Sequence, residues 1–214
     1  MAQPATTKRT VGILIFEGVE VLDFCGPFEV FATTAPLATG VVRDDERLFD
    51  VITIAQTADV VDCTGGLLVQ PNATIDIHPA LDILVVPGGR GTRREQTNAV
   101  LLDWIAAQSR TVELTTSVCT GAFLLAARGI LDGRRATTHW ASIDRLRESA
   151  PAVTVLDDRR VVDEGAVVTS AGVSAGIDMA LHVVARLHGP EVATATARNM
   201  EYLGDWRIDG AVRP

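Results

Sequence analysis

Cys119 stands where a strand-like run stops and a run of small residues begins, in Thr115-Thr116-Ser117-Val118-Cys119-Thr120-Gly121-Ala122. Val112 to Ser117 reads as a strand, and Thr120 to Arg128 as a helix of small residues. Small residues after the cysteine permit the sharp turn of a nucleophile elbow, with cysteine in the serine position. A thiolate at a helix N-terminus is stabilised by the helix dipole and by free backbone amides, so the expectation is a lowered pKa. The same amides can hold an oxyanion. The competing reading is a buried packing cysteine, a common fate for this residue. Cys25, between Phe24 and Gly26, and Cys63, in a hairpin strand, lack the elbow context and read as packing residues.

Asp23 is the second candidate. It lies in Leu22-Asp23-Phe24-Cys25-Gly26-Pro27, flanked by apolar bulk. A carboxyl group both gives and takes a proton in one reaction cycle only if its pKa is raised, by burial or by a nearby negative charge. Its other reading is a cap for the helix that Gly26-Pro27 would open. The third feature, Pro87-Gly88-Gly89-Arg90-Gly91, follows the apolar run Asp82 to Val86. It lacks the Lys-Ser/Thr of a phosphate-binding loop and the G-x-G-x-x-G spacing, so nothing calls for a nucleotide. His78, His182 and His188 read as surface or helix residues without a partner pattern. No histidine-carboxylate spacing suggests a metal, and no cofactor is expected.

These groups need a scaffold. Apolar runs at Val11 to Phe16, Leu48 to Ala55, Asp82 to Val86, Val112 to Ser117 and Ala166 to Ser170 read as strands buried on both faces. Helical spacing separates them, over Asn98 to Gln108, Ser174 to His188 and Pro190 to Glu201. Val60 to Cys63 and Leu67 to Gln70 flank Thr64-Gly65-Gly66 as a hairpin. Strands alternating with helices predict an α/β sandwich with a mostly parallel sheet covered on both faces. In such sheets ligands bind beyond the carboxyl ends of the strands, where all three candidate features fall. One domain is expected over residues 11–202, after a polar lead at 1–10 and before a tail at 203–214. The 214 residues carry 27 acids against 19 bases, a net charge of −8, which opposes nucleic acid and anionic membrane as partners. No run has the length of a signal peptide or a bilayer span, so a cytoplasmic location is expected. Three cysteines are too few for a disulfide framework.

Taken together, several segments resemble the ThiJ/PfpI superfamily. They are Val11 to Phe16 with Leu22-Asp23-Phe24-Cys25-Gly26-Pro27, the Pro87-Gly88-Gly89 loop, Ser117-Val118-Cys119-Thr120-Gly121, Ala136-Thr137-Thr138-His139-Trp140, and Ser170 to Asp178. The likeness runs from about Val11 to Tyr202 and is greatest to the isocyanide hydratase branch. Similar segments occur in the effector-sensing halves of some AraC-type regulators. The resemblance implies a flavodoxin-like sandwich, a homodimer and a small-molecule substrate. It implies Cys119 as nucleophile and Asp23 as its carboxyl partner, with Thr120 beside the thiol or its water. Gly89 and Thr120 would supply oxyanion amides, and His139 and Trp140 would shape the pocket. Thr120 replaces the histidine that protease-like members carry after the cysteine, which argues against peptidase chemistry. The implied reaction adds water to an isocyanide. The alternatives are a ligand or redox sensor, or another reaction at the same thiol, such as glyoxal hydration. The residues after Tyr202 are too few for a helix-turn-helix domain. They also lack the proline-rich continuation usual in the hydratase branch.

Overall fold

The computed structural model describes residues 8–36, 46–204 and 206. The buried apolar runs become the central strands: β1 (Arg9–Leu14), β2 (Phe49–Ala55), β6 (Ile83–Val86), β7 (Leu114–Val118) and β11 (Val167–Ser170). All five are parallel, in the order β11-β7-β6-β1-β2. The short strands β5 (Ala73–Thr74) and β10 (Val161–Asp163) extend the two edges, β10 running antiparallel to β11. Chain order therefore reverses direction at β1, which has β2 on one side and β6 on the other. The crevice at the carboxyl ends of β1 and β6 is the switch point of the sheet. Two small pairs lie outside it: the expected hairpin of β3 (Val61–Asp62) and β4 (Leu68–Val69), and β8 (Arg135–Ala136) with β9 (Thr154–Val155).

The helices form two packed groups flanking the sheet. One holds α1 (Val21–Thr33), α6 (Ala175–His188) and α7 (Pro190–Asn199); the other holds α2 (Thr92–Glu95), α3 (Ala99–Ser109) and α4 (Gly121–Ala126). Helix α5 (Ile143–Ser149) follows a single 3-10 turn at Trp140–Ser142. Among the described residues no helix is long and apolar enough to cross a membrane.

Three expectations are corrected. Helix α1 does not open at Gly26-Pro27; it starts at Val21 and carries Pro27 inside it. The ring removes only the N–H that would have served the Asp23 carbonyl four residues back. Gly26 lets α6 press close: a Cβ there would stand 2.9 Å from Ile177 Cγ1. The fold begins at Arg9 rather than Val11, since Arg9 and Thr10 pair with β2. At the other end, Trp206 is buried, so the structured part passes the expected boundary at 202; residues 1–7 and most of the expected tail lie outside the described residues. Two histidines also have partners. His182 Nε2 lies 2.7 Å from Asp163 Oδ2, and Trp104 Nε1 donates to His78 Nε2 at 3.1 Å.

The C-terminal segment is tied down by a buried acid. Asp178, 2% exposed in the first turn of α6, accepts from the Arg160 guanidinium and, at 2.6 Å, from the Tyr202 hydroxyl. Arg160 also donates to Ser174 Oγ at 3.0 Å. Removing Asp178 strips the acceptor from both half-buried partners, so Asp178→Ala is expected to cost about 3 kcal/mol of unfolding free energy, read from urea denaturation. Tyr202→Phe should cost about 1 kcal/mol by the same measurement.

Candidate active site

The elbow forms because β7 ends against a tightly fitted backbone. Cys119 takes φ 58°, in the left-handed region that side chains avoid. Its N–H donates to the carbonyls of Ser170 and Ala171, at 3.2 and 3.1 Å, and the buried Thr138 hydroxyl donates to its carbonyl at 2.7 Å. Gly121 must be glycine, because a Cβ there would strike the Val86 carbonyl oxygen. The sulfur residue is only 6% exposed.

Asp23 reaches this thiol from the first turn of α1 and is fully buried. It does not cap a helix. Gly88 N–H donates to Asp23 Oδ2 at 2.9 Å, while the Gly88 carbonyl accepts from Glu20 N–H at 2.9 Å. This pair of bonds, with the bridge between Val19 and Gly89, fastens the start of α1 to the loop after β6. Oδ1 has no full hydrogen bond among the described residues. The Cys119 thiol and the Val173 N–H also act on this carboxyl. Val173 has φ 53°, a strained conformation for a β-branched residue, in the turn that leads into α6.

Burial pushes the Asp23 carboxyl up to about 7, against the lowering effects of Gly88 N–H and the thiol. Burial and then the charge of Asp23 push the Cys119 thiol up to about 12. The expected low-pKa thiolate is therefore corrected. Helix α4 has six residues, and its N-terminal dipole is outweighed by a site withdrawn from water beside a carboxylate.

Thr120 does not cap α4 through its side chain. Its hydroxyl accepts from Gly89 N–H at 3.0 Å and lies 3.1 Å from the Thr92 hydroxyl, which itself donates to the Gly89 carbonyl at 2.7 Å. The Thr120 N–H and hydroxyl both favour the thiolate form of Cys119. The Gly89 N–H thus already serves Thr120, and an oxyanion there would have to replace that bond. Thr120, Asp23 and Gly88 converge so closely that a Cβ on Gly88 would stand 2.5 Å from Thr120 N.

The His139 ring lies against the backbone of Gly172, where any Cβ would strike it. Its Nδ1 accepts from Ala141 N–H at 3.3 Å, and burial lowers its pKa, so the ring is neutral with its proton on Nε2. Among the described residues it makes no hydrogen bond to Cys119. Trp140 is 73% exposed, its ring tilted against His139 at 5.6 Å. Thr92, Thr138 and Val173 serve the site without an individual role having been read for them, while Gly88 falls in the loop already marked after β6. The signal for Thr138 was present in the Thr137-Thr138-His139 segment and that for Val173 in the segment Ser170 to Asp178; none marked Thr92.

A buried carboxyl over an elbow cysteine, at the switch point of a flavodoxin-like sheet, defines a class of α/β proteins. This chain belongs to the DJ-1/PfpI family, whose model matches residues 9–186. The isonitrile hydratase of Pseudomonas putida is 35% identical over 90% of this chain and 78% of its own length. The HTH-type transcriptional regulator GbdR of Pseudomonas aeruginosa is 28% identical over 91% of this chain, which spans about half of that regulator (51%). Among solved structures, a ThiJ/PfpI family protein from Pseudomonas syringae superposes with a TM-score of 0.82 at 30% identity, covering 94% of this chain and 78% of its own.

Two outcomes follow from the geometry. Gly88→Ala should abolish any activity of Cys119 while leaving far-ultraviolet circular dichroism intact, since the new methyl collides with backbone rather than with a mobile side chain. Asp23→Asn should be more stable than wild type at pH 8. The folded carboxyl keeps its proton up to about 7 while the unfolded one releases it near 3.8, so wild-type stability falls as pH rises between those values. The variant lacks that slope, and its advantage in urea unfolding should vanish below pH 4.

Proposed function

We propose that the protein adds water to a small isocyanide to give the N-substituted formamide, with Cys119 as nucleophile, Asp23 as acid and base, and Thr120 holding the sulfur. The observation that carries this reading is the buried Asp23 carboxyl, one oxygen held by Gly88 N–H and the other without a partner among the described residues, with the Cys119 thiol acting on the group. The likeness to isonitrile hydratase supports the choice of substrate.

The terminal carbon of an isocyanide needs a nucleophile and a proton at the same atom. The Asp23 carboxylate takes the thiol proton as sulfur attacks and delivers it to that carbon. One C–S bond and one C–H bond form, and the C–N triple bond becomes the double bond of a thioimidate. Covalent catalysis thereby divides one hard hydration into addition and hydrolysis. Asp23, again a carboxylate, takes a proton from water as its oxygen adds to the carbon, and the nitrogen gains a proton. Collapse releases the formamide and returns the thiol. The working state of the pair holds one proton, and raising Asp23 to about 7 lets it gain and lose that proton near neutrality.

A redox-sensor reading asks for a free thiolate at neutral pH, and burial and the Asp23 carboxylate both disfavour one. Turnover of para-nitrophenyl isocyanide, followed as formamide, is the test. Wild type should turn over, and Cys119→Ala and Asp23→Asn should each lose at least about a thousandfold. An inert wild type whose Cys119 still alkylates would put another small-molecule reaction in place of hydration. Below pH 7 Asp23 is protonated and cannot take the thiol proton, so kcat/KM should rise with pH through about 7 and stay level to pH 9.

A further inference from the structure

Arg145 projects from α5 and stacks on Phe123, its Cζ 4.1 Å from the ring centroid. Phe123 belongs to α4, one turn beyond the nucleophile. The Arg145 Nε is buried and has no hydrogen-bond partner. Arg93 lies next to Thr92, whose hydroxyl touches Thr120. The Arg145 guanidinium is close enough to feel both the Arg93 charge and the Cys119 sulfur, and no carboxylate figures among the charges acting on it. The acids outnumber the bases in this chain, and Arg9, Arg94, Arg128, Arg135, Arg147 and Arg160 each reach one. Among the described residues Arg93 and Arg145 reach none, nor do Arg90, Arg110, Arg134 and Arg198; Arg145 differs in its ring contact and its buried, unpartnered Nε. Glu20, the acid whose charge acts on the pocket, bears on Asp23 and His139 instead.

A guanidinium held flat on an aromatic ring keeps a fixed fork of donors and lacks only an acceptor. Leaving it unpaired beside a second arginine costs stability, and a carboxylate would satisfy both. We infer that Arg145, with Arg93 beside it, is the subsite for an anionic group on the substrate, which makes the substrate class small isocyanides that carry a carboxylate. This rests on the reading of Cys119 as the nucleophile. Arg145 is a specificity residue here; the bond-making steps stay with Cys119 and Asp23.

The test uses two alkylating agents of similar size, one anionic and one neutral, each rate taken relative to that of the same agent with free cysteine. Iodoacetate and iodoacetamide each form an S–C bond at Cys119 and expel iodide, the thiol proton passing to Asp23 or solvent. Rates are read at the Cys119 peptide by mass spectrometry. Wild type should react faster with iodoacetate, and added salt should erode that preference. Arg145→Gln should lower the iodoacetate-to-iodoacetamide ratio about tenfold, the loss of one charge-assisted contact, and Arg145→Lys should recover part of it. A wild-type ratio below one that Arg145→Gln leaves unchanged would overturn the subsite. Steady-state kinetics then compare isocyanoacetate with its ethyl ester, and Arg145→Gln should raise KM for the acid more than for the ester. An anion preference in alkylation with neither isocyanide hydrated keeps the subsite and sinks the hydratase reading. Hydration of both without preference does the reverse.

Discussion

A carboxyl and a thiol lie against each other with almost no access to water, and the surrounding structure serves that contact. Burial makes either charge expensive, which is why both groups hold their protons to higher pH than they would in solution. The Gly88 N–H moderates the cost at one oxygen of Asp23. Nothing larger than glycine fits at that point, because α1, the loop after β6 and the elbow all meet there. The contact is thus a property of three chain segments held at van der Waals distance.

That distance is set by the sheet. β1 and β6 are neighbours, so the segments leaving their carboxyl ends emerge side by side and can exchange backbone hydrogen bonds. β7 lies next to β6 and delivers Cys119 to the same crevice. Strain at Cys119 is sustained because its N–H and carbonyl are both engaged, by Ser170, Ala171 and Thr138. The α6 side contributes through Val173, whose N–H reaches the carboxyl from a second strained turn. The buried Asp178 with Arg160 and Tyr202 holds the first turn of α6 from behind.

The hydroxyls form a further layer. Thr92, Gly89 and Thr120 are linked: the Thr120 hydroxyl accepts from Gly89 N–H, contacts the Thr92 hydroxyl, lies 3.4 Å from the Gly89 carbonyl, and also acts on the Cys119 sulfur. A histidine in place of Thr120 would bring a base next to the thiol; threonine brings a neutral donor, and the proposed hydration assigns the base to Asp23. In that proposal the single acid at the centre serves every proton step, and its shift toward neutrality suits it to both giving and taking a proton.

Much of this was legible in the residues themselves. Continuous apolar runs fix five parallel strands, because only a sheet covered on both faces tolerates them. Small residues after Cys119 fix the elbow, and the apolar neighbours of Asp23 foreshadow its burial. Other features depend on contacts between distant segments. Gly26-Pro27 looks like a helix start, yet α1 runs through it, because packing against α6 outweighs one lost hydrogen bond. Ile143 and Leu146 carry a helical spacing for α5, but its charged residues mask it. The edge strand β10 is too short and too close to arginines to stand out. The direction of the thiol's pKa was misjudged from the elbow alone, since a helix terminus favours the thiolate and only the folded chain adds burial and a carboxylate that oppose it. The sequence by itself determined which residues could react and the class of sheet that carries them. The tertiary structure decided their protonation, which donor serves which acceptor, and that Arg145 stacks on Phe123 with its Nε unpaired, because each depends on distances between segments far apart in the chain.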